Sequence, residues 1–123
     1  MNRTDTESQR PVKATYDIAT LGSKTRMGGE IISASTRMMI EKHRIPCVGD
    51  RVRYPDGSES EIVSGAGFAL AYKGPPVALV GSTTDNGDTV ISSLQSLYKI
   101  AEYADDNGIP GLLQPGYRAE SQM

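Results

Sequence analysis

The sequence predicts an all-β chain, a three-sided body made of three pseudo-repeated β-hairpin units with threefold pseudo-symmetry. Composition gives the first indication. Glycine and proline supply 20 of 123 residues, about 16% against a usual level of roughly 12%. The second is the scarcity of large aromatics, with no tryptophan and one phenylalanine. A core built from small aliphatics and occasional tyrosines suits short strands joined by tight turns better than packed helices. The third, and most informative, is an internal repeat.

Two motifs interleave three times in the same order. Gly29-Glu-Ile-Ile-Ser33, Ser60-Glu-Ile-Val-Ser64 and Asp88-Thr-Val-Ile-Ser92 read alike, so that Ile31, Ile62 and Val90 correspond. Leu21-Gly-Ser-Lys-Thr25, Val48-Gly-Asp-Arg-Val52 and Val80-Gly-Ser-Thr-Thr84 share a second frame. Each of these runs into a turn, at Met27-Gly-Gly, Tyr54-Pro-Asp-Gly and Asn86-Gly. A hairpin of about 30 residues cannot bury its own apolar face, so three must close on one another. Three equivalent units closing about an axis can sit on the end of a true homotrimer, each face continuing one subunit.

Taken in order, residues 1–16 are polar and read as a flexible N-terminal tail, with order starting no earlier than about Lys13. Residues 17–100 form the repeat domain. Within it Phe68 to Tyr72 alternates with period two, and Val77 to Val80 fits a short strand. Met38-Met39-Ile40 reads as core or as one edge of a strand with one side buried, with an adaptable contact surface as the alternative. From Leu94 to Tyr103 a strand competes with a helical stripe of Leu94, Leu97, Tyr98 and Ala101. Residues 101–123 form a C-terminal extension with DDNG, IPG and QPG turns and a lone Leu112-Leu113 pair. It either lies against a neighbour or hangs free.

Several function classes drop out. Thirteen Lys and Arg against fifteen Asp and Glu leave a net charge of −2, without the basic surplus that nucleic acid demands. No stretch approaches the roughly 18 apolar residues of a membrane span, and residues 1–10 are too polar for a signal peptide. The chain is therefore expected to make no stable membrane insertion. One cysteine and one histidine cannot supply the four ligands of a closed His/Cys zinc site. His43 and Cys47 have a spacing seen in metal sites, with Asp50 as a carboxylate nearby. Without two further ligands, Cys47 reads instead as a small buried hydrophobe. Catalytic triads would have to use His43; there is no G-x-S-x-G elbow and no P-loop. Ser64-Gly-Ala-Gly67 reads as a turn of the repeat, and Asp85, Asp88 and Asp105-Asp106-Asn107 read as turn formers rather than a calcium site. No catalytic residue is assigned.

The frame Gly22-Ser-Lys-Thr-Arg-Met-Gly-Gly29, followed by a strand and Ser33-Ala-Ser-Thr36, resembles the opening of PAAR-repeat proteins. Arg44-Ile-Pro-Cys-Val-Gly-Asp50 and Pro76-Val-Ala-Leu-Val-Gly-Ser82 stand where that family carries its Pro-Ala-Ala-Arg-Val-Gly-Asp segments. The resemblance covers about residues 20–100. It implies a small cone that caps the homotrimeric VgrG spike of a type VI secretion system, one cap per trimer, and sharpens it for membrane puncture. It implies effector cargo as a further partner, and a protein that is cytoplasmic until assembled and then exported on the spike. Cap of a phage or other contractile-tail spike is the alternative within this class; a small β-domain enzyme is the alternative outside it.

The resemblance also implies a zinc ion near the point. The matching positions here are Met27, Tyr54 (with Asp56 and Gly57 after it) and Asn86, none a good zinc ligand. The expectation is that the family's zinc is absent, with no other cofactor, and that packing and hydrogen bonds hold the apex. A trimer cap must expose some apolar residues on the free chain. Ile45, Val77, Leu79, Leu112 and Leu113 are the candidates for partner binding.

Overall fold

The computed structural model describes residues 11–104 and 108–118. Its strands are β1 (Val12–Asp17), β2 (Glu30–Ile31), β3 (Met39–Ile40), β4 (His43–Arg44), β5 (Arg51–Arg53), β6 (Glu59–Glu61) and β7 (Lys99–Tyr103), with one 3-10 turn at Gly67–Ala69. The fold is all-β, as expected, and is assembled from several small antiparallel sheets.

Each repeat begins with the same turn. Ser23 N donates to Thr20 O at 2.9 Å, Asp50 N to Cys47 O at 3.0 Å, and Ser82 N to Leu79 O at 2.9 Å. Gly22, Gly49 and Gly81 hold the third position of these turns at φ of 93°, 101° and 109°. That is the type II geometry, in which a side chain at the third position clashes. The fourth residue caps the turn: Ser23 Oγ accepts from Thr20 N, Asp50 Oδ2 from Cys47 N, and Ser82 Oγ from Leu79 N, at 2.8–2.9 Å.

A hairpin follows each turn. Ile31 N, Ile62 N and Val90 N donate to Ser23 O, Asp50 O and Ser82 O, each at 2.9 Å. The three aliphatic side chains are buried together with Ala19, Val52 and Ala78. The return strand of each hairpin then bonds the outgoing strand of the next. Ile32 N meets Arg51 O, Val63 N meets Thr83 O, and Ile91 N meets Lys24 O, all at 2.9 Å. The third link joins the last hairpin to the first, so the ring has no free edge to aggregate. The β-branched residues expected to correspond do correspond, and their burial on the axis drives the closure.

Beneath this layer Ala19 N donates to Ala78 O at 3.0 Å, and Ala78 N to Pro46 O at 2.9 Å. Pro46 has no N–H, so it cannot donate the third bond of this inner ring. Each base strand then runs into an arm, held by Ile18 N to Tyr98 O, Ile45 N to Met38 O and Val77 N to Leu70 O. The first arm is the β3–β4 hairpin, turned by Glu41 and Lys42 with φ of 52° and 72°. The second is turned by Lys73 and Gly74, with Ala71 paired to Pro76. The third is divided between the two ends of the chain: β1 pairs antiparallel with β7.

That divided arm corrects the expected domain limits. The boundary at 16/17 falls inside β1 and that at 100/101 inside β7, so residues 12–16 are not a loose tail. Neither strand forms a hairpin locally, and the pairing exists only because ring closure brings the ends together. Residues 1–10 and the expected Asp105-Asp106-Asn107 turn lie outside the described residues. Phe68 to Tyr72 is not the predicted strand. Gly67–Ala69 turns in a 3-10 step, which leaves Phe68 exposed and turns Leu70 onto the base cluster. Residues 94–98 are neither strand nor helix. The buried Gln95 amide donates to Ile18 O and Tyr98 O and accepts from Leu97 N and Tyr98 N, organising a turn that delivers the chain to β7.

The C-terminal residues 108–118 lie on the second unit. Leu113 N donates to Gly65 O at 2.7 Å, Gly116 N to Val63 O at 3.1 Å, and Phe68 N to Pro110 O at 2.8 Å. The extension is thus a strap on the chain's own fold.

Candidate functional site: the hairpin tip

The three hairpins turn back at one end of the ring. Gly28 N, Gly57 N and Gly87 N close the turns on Thr25 O, Tyr54 O and Thr84 O at 2.8–3.1 Å. Thr25 N, Tyr54 N and Thr84 N in turn bond Gly29 O, Ser58 O and Asp88 O. Met27, Asp56 and Asn86 are therefore true equivalents, and Tyr54 is the equivalent of Thr25 and Thr84. The sequence match of Tyr54 with Met27 and Asn86 was two residues out. The second hairpin is longer, because β5 and β6 insert four residues between bonds that are otherwise equivalent. The structure nevertheless brings Met27, Tyr54 and Asn86 to one opening, with Pro55, Asp56 and Ser58.

The extra length of the second hairpin lets Tyr54 lean across the tip. Its ring covers Gly29, where a Cβ would stand 2.7 Å from Tyr54 Cε1 and 2.5 Å from Val52 Cγ1. Its hydroxyl donates to Asp88 Oδ2 at 2.7 Å, sits 3.0 Å from Ser60 Oγ, and accepts from Asn86 Nδ2 at 3.2 Å. Asp88 Oδ1 accepts from Met27 N at 2.9 Å and from Thr89 N at 2.8 Å. Asp88 is fully buried. Burial alone raises its pKa; hydrogen bonds from Thr25, Tyr54 and the Thr89 and Met27 amides outweigh that and hold the carboxyl below its ordinary range. Sequence reasoning read Asp88 as a turn former and missed this role.

The tip does not fit a zinc ion. Its equivalent positions offer a thioether, a carboxylate and a neutral amide, where zinc favours imidazole and thiolate. Asp56 accepts from Ser58 N and Ser58 Oγ, and Asn86 Oδ1 from Thr84 Oγ1. Met27 is exposed.

The remaining candidates lie elsewhere. His43 is half-buried on β4, paired with Ile40. Cys47 is buried in the base strand, where burial first and Asp50 second push its thiol up to about 12. Such a thiol is neither nucleophile nor ready ligand at neutral pH. Asp50 already accepts from Ser33 Oγ, Ser35 N, Ser35 Oγ and Cys47 N. Among the described residues no three His, Cys, Asp or Glu side chains cluster as a metal site. Ser64 Oγ accepts from Thr83 N and so ties the second unit to the third.

Ile45, Val77 and Leu79, expected to be exposed for a partner, are instead the base core, at 1%, 0% and 0% exposure. They pack with Ile18 and Ala66, and the half-buried Leu112 and Leu113 close over them. The arms and the strap supply the cover that the sequence reading assigned to a partner. The large apolar residues left exposed are others: Met27 at the tip, Ile91 after the third hairpin, Met39 on the first arm, Phe68 before the second, and Val12, Leu94, Leu97 and Tyr98 on or before the strands of the third.

A closed ring of three hairpins, with its turns gathered at one end and an arm from each unit at the other, defines a compact threefold β module. The PAAR motif matches residues 21–92, which spans all three hairpins. The chain belongs to the PAAR motif family. Neither the curated proteins nor the solved structures returned a match.

Proposed function

We propose that this protein is the non-enzymatic tip of a contractile injection spike, one copy closing the end of a VgrG-like homotrimer of a type VI secretion system. The observation that carries the reading is the repeated hydrogen bond of ring closure, made three times with the same geometry by three successive hairpins. A single chain with three pseudo-equivalent faces can meet one subunit of a trimer with each. The exposed Met39, Phe68, Leu97 and Tyr98 give each unit a large apolar residue toward the arm end. They are the contacts we assign to the spike, in place of the buried residues first expected. Such residues would be covered on assembly. On this reading the chain is made in the cytoplasm and leaves with the spike, carrying cargo non-covalently where it carries any.

Size exclusion with light scattering, on the chain mixed with its cognate trimeric spike, is the test. A complex of three spike chains and one cap is the expected result. The triple variant Met39→Ser, Phe68→Ser, Leu97→Ser should weaken that complex by about tenfold or more while leaving the melting temperature close to that of the parent, since these side chains are mostly in water already. A well-folded chain that forms no complex sinks the reading.

A further inference from the structure

We propose that the Tyr54–Asp88 pair closes the tip in place of a metal, as a hydrogen-bonded clasp that ties the three hairpins together. The inference rests on the family assignment and not on which spike is the partner.

The three units meet at one carboxylate. Asp88 belongs to the third hairpin, accepts through Oδ2 from the Tyr54 hydroxyl of the second, and through Oδ1 from the Met27 amide of the first. A tip ion would join the same three turns through one ligand from each. Here the equivalent positions carry Met27, Asp56 and Asn86, of which only Asp56 offers a common zinc ligand and its carboxylate is engaged by Ser58, while a tyrosine two residues before Asp56 reaches across to a carboxylate two residues after Asn86. Three features make the reach possible. β5 and β6 lengthen the second hairpin. Gly29 stands where Ser58 and Asp88 carry side chains in the other turns, and so leaves room for the ring. Ser60 and Asn86 satisfy the rest of the hydroxyl's hydrogen-bonding capacity. An anionic acceptor with a phenolic donor at 2.7 Å is among the stronger protein hydrogen bonds. Removing the phenol oxygen leaves a buried carboxylate short of a donor.

The test uses the full chain purified without chelator or added metal. Elemental analysis should find well under one zinc per chain, and EDTA should leave the melting temperature unchanged. Tyr54→Phe keeps the ring over Gly29 and removes only the donor. It should lower the melting temperature by about 5–10 °C, the shift expected for one charge-assisted bond in a domain of this size. Amide exchange places the loss: Met27 and Thr89 should lose protection, while Ile31 and Ile62 in the layer beneath keep theirs. One zinc per chain that survives gel filtration overturns the proposal, as does a melting temperature that falls in EDTA. A Tyr54→Phe protein that melts with the parent and keeps the Met27 amide protected overturns it too.

Discussion

Gly65→Ala is expected to cost about 3 kcal/mol or more, at the upper end of what one added methyl does in a packed interior. A Cβ at this position would stand 2.3 Å from Val77 O and 3.0 Å from Val77 C. Those atoms are backbone of the base strand, so no side-chain rotation relieves the clash. The strand itself is pinned: Val77 N bonds Leu70 O, and Val77 O accepts from Ala66 N at 2.8 Å. Moving it disturbs the buried Ile45, Leu79 and Ile18 around it. Gly65 O also anchors the strap through Leu113 N, so the variant should expose the base core as well as lower stability. Chemical denaturation checks the first effect, and dye binding to apolar surface the second. Gly57→Ala is the control. Its Cβ would meet nothing within 4 Å, and the cost should be the roughly 1 kcal/mol of a residue forced to positive φ. A Gly65→Ala loss no larger than that of Gly57→Ala would show that the approach of Val77 does not make Gly65 necessary.

Asp50→Ala should be as damaging, for an electrostatic reason. Four donors converge on this buried carboxylate, from Ser33, Ser35 and the Cys47 amide, joining the return segment of the first unit to the opening turn of the second. Truncation leaves the buried Cys47 amide without an acceptor and cuts the tie to the half-buried Ser33 and to Ser35, whose exposed donors turn to water, so that a total loss of roughly 3 kcal/mol is expected. Asp50→Ser should recover part of it. Ser23 and Ser82 cap the equivalent turns with a hydroxyl, so serine restores the Cys47 bond and not those to Ser33 and Ser35.

The same carboxylate gives the fold an acid limit. Burial raises its pKa, yet the bonds from Ser35, Cys47 and Ser33 prevail and hold it below the ordinary value. A folded pKa below the unfolded one means that the charged form favours the fold. That contribution is complete above the unfolded pKa of about 4 and is lost as pH falls through the lower folded value. Melting temperature measured from pH 6 down to pH 2 should therefore drop across the acid end, and Asp50→Ser should flatten the slope. An unchanged slope in that variant would assign the acid sensitivity to other carboxylates, Asp88 first among them.

Much of the architecture is written in contiguous residues. The apolar-Gly-Ser/Asp frames encode their own type II turns, because glycine at the third position and a short polar side chain at the fourth act within four residues. Ile31, Ile62 and Val90 were identifiable as one layer because each opens the same local motif, an aliphatic pair followed by a serine, at Ile31-Ile32-Ser33, Ile62-Val63-Ser64 and Val90-Ile91-Ser92. Those local devices, repeated three times, determine an all-β ring with threefold pseudo-symmetry. Tertiary structure alone decided the rest. β1 and β7 are too far apart in sequence to predict each other, and closure of the ring makes them neighbours. Ile45, Val77 and Leu79 looked exposed because nothing local covers them; the arms and the strap at residues 108–118 do so from a distance. Tyr54 and Asp88 read as turn residues in their own hairpins, and their bond is a contact between repeats. Such a contact depends on a length difference between two hairpins and on a missing side chain at Gly29 in the remaining one, and no single segment holds that information.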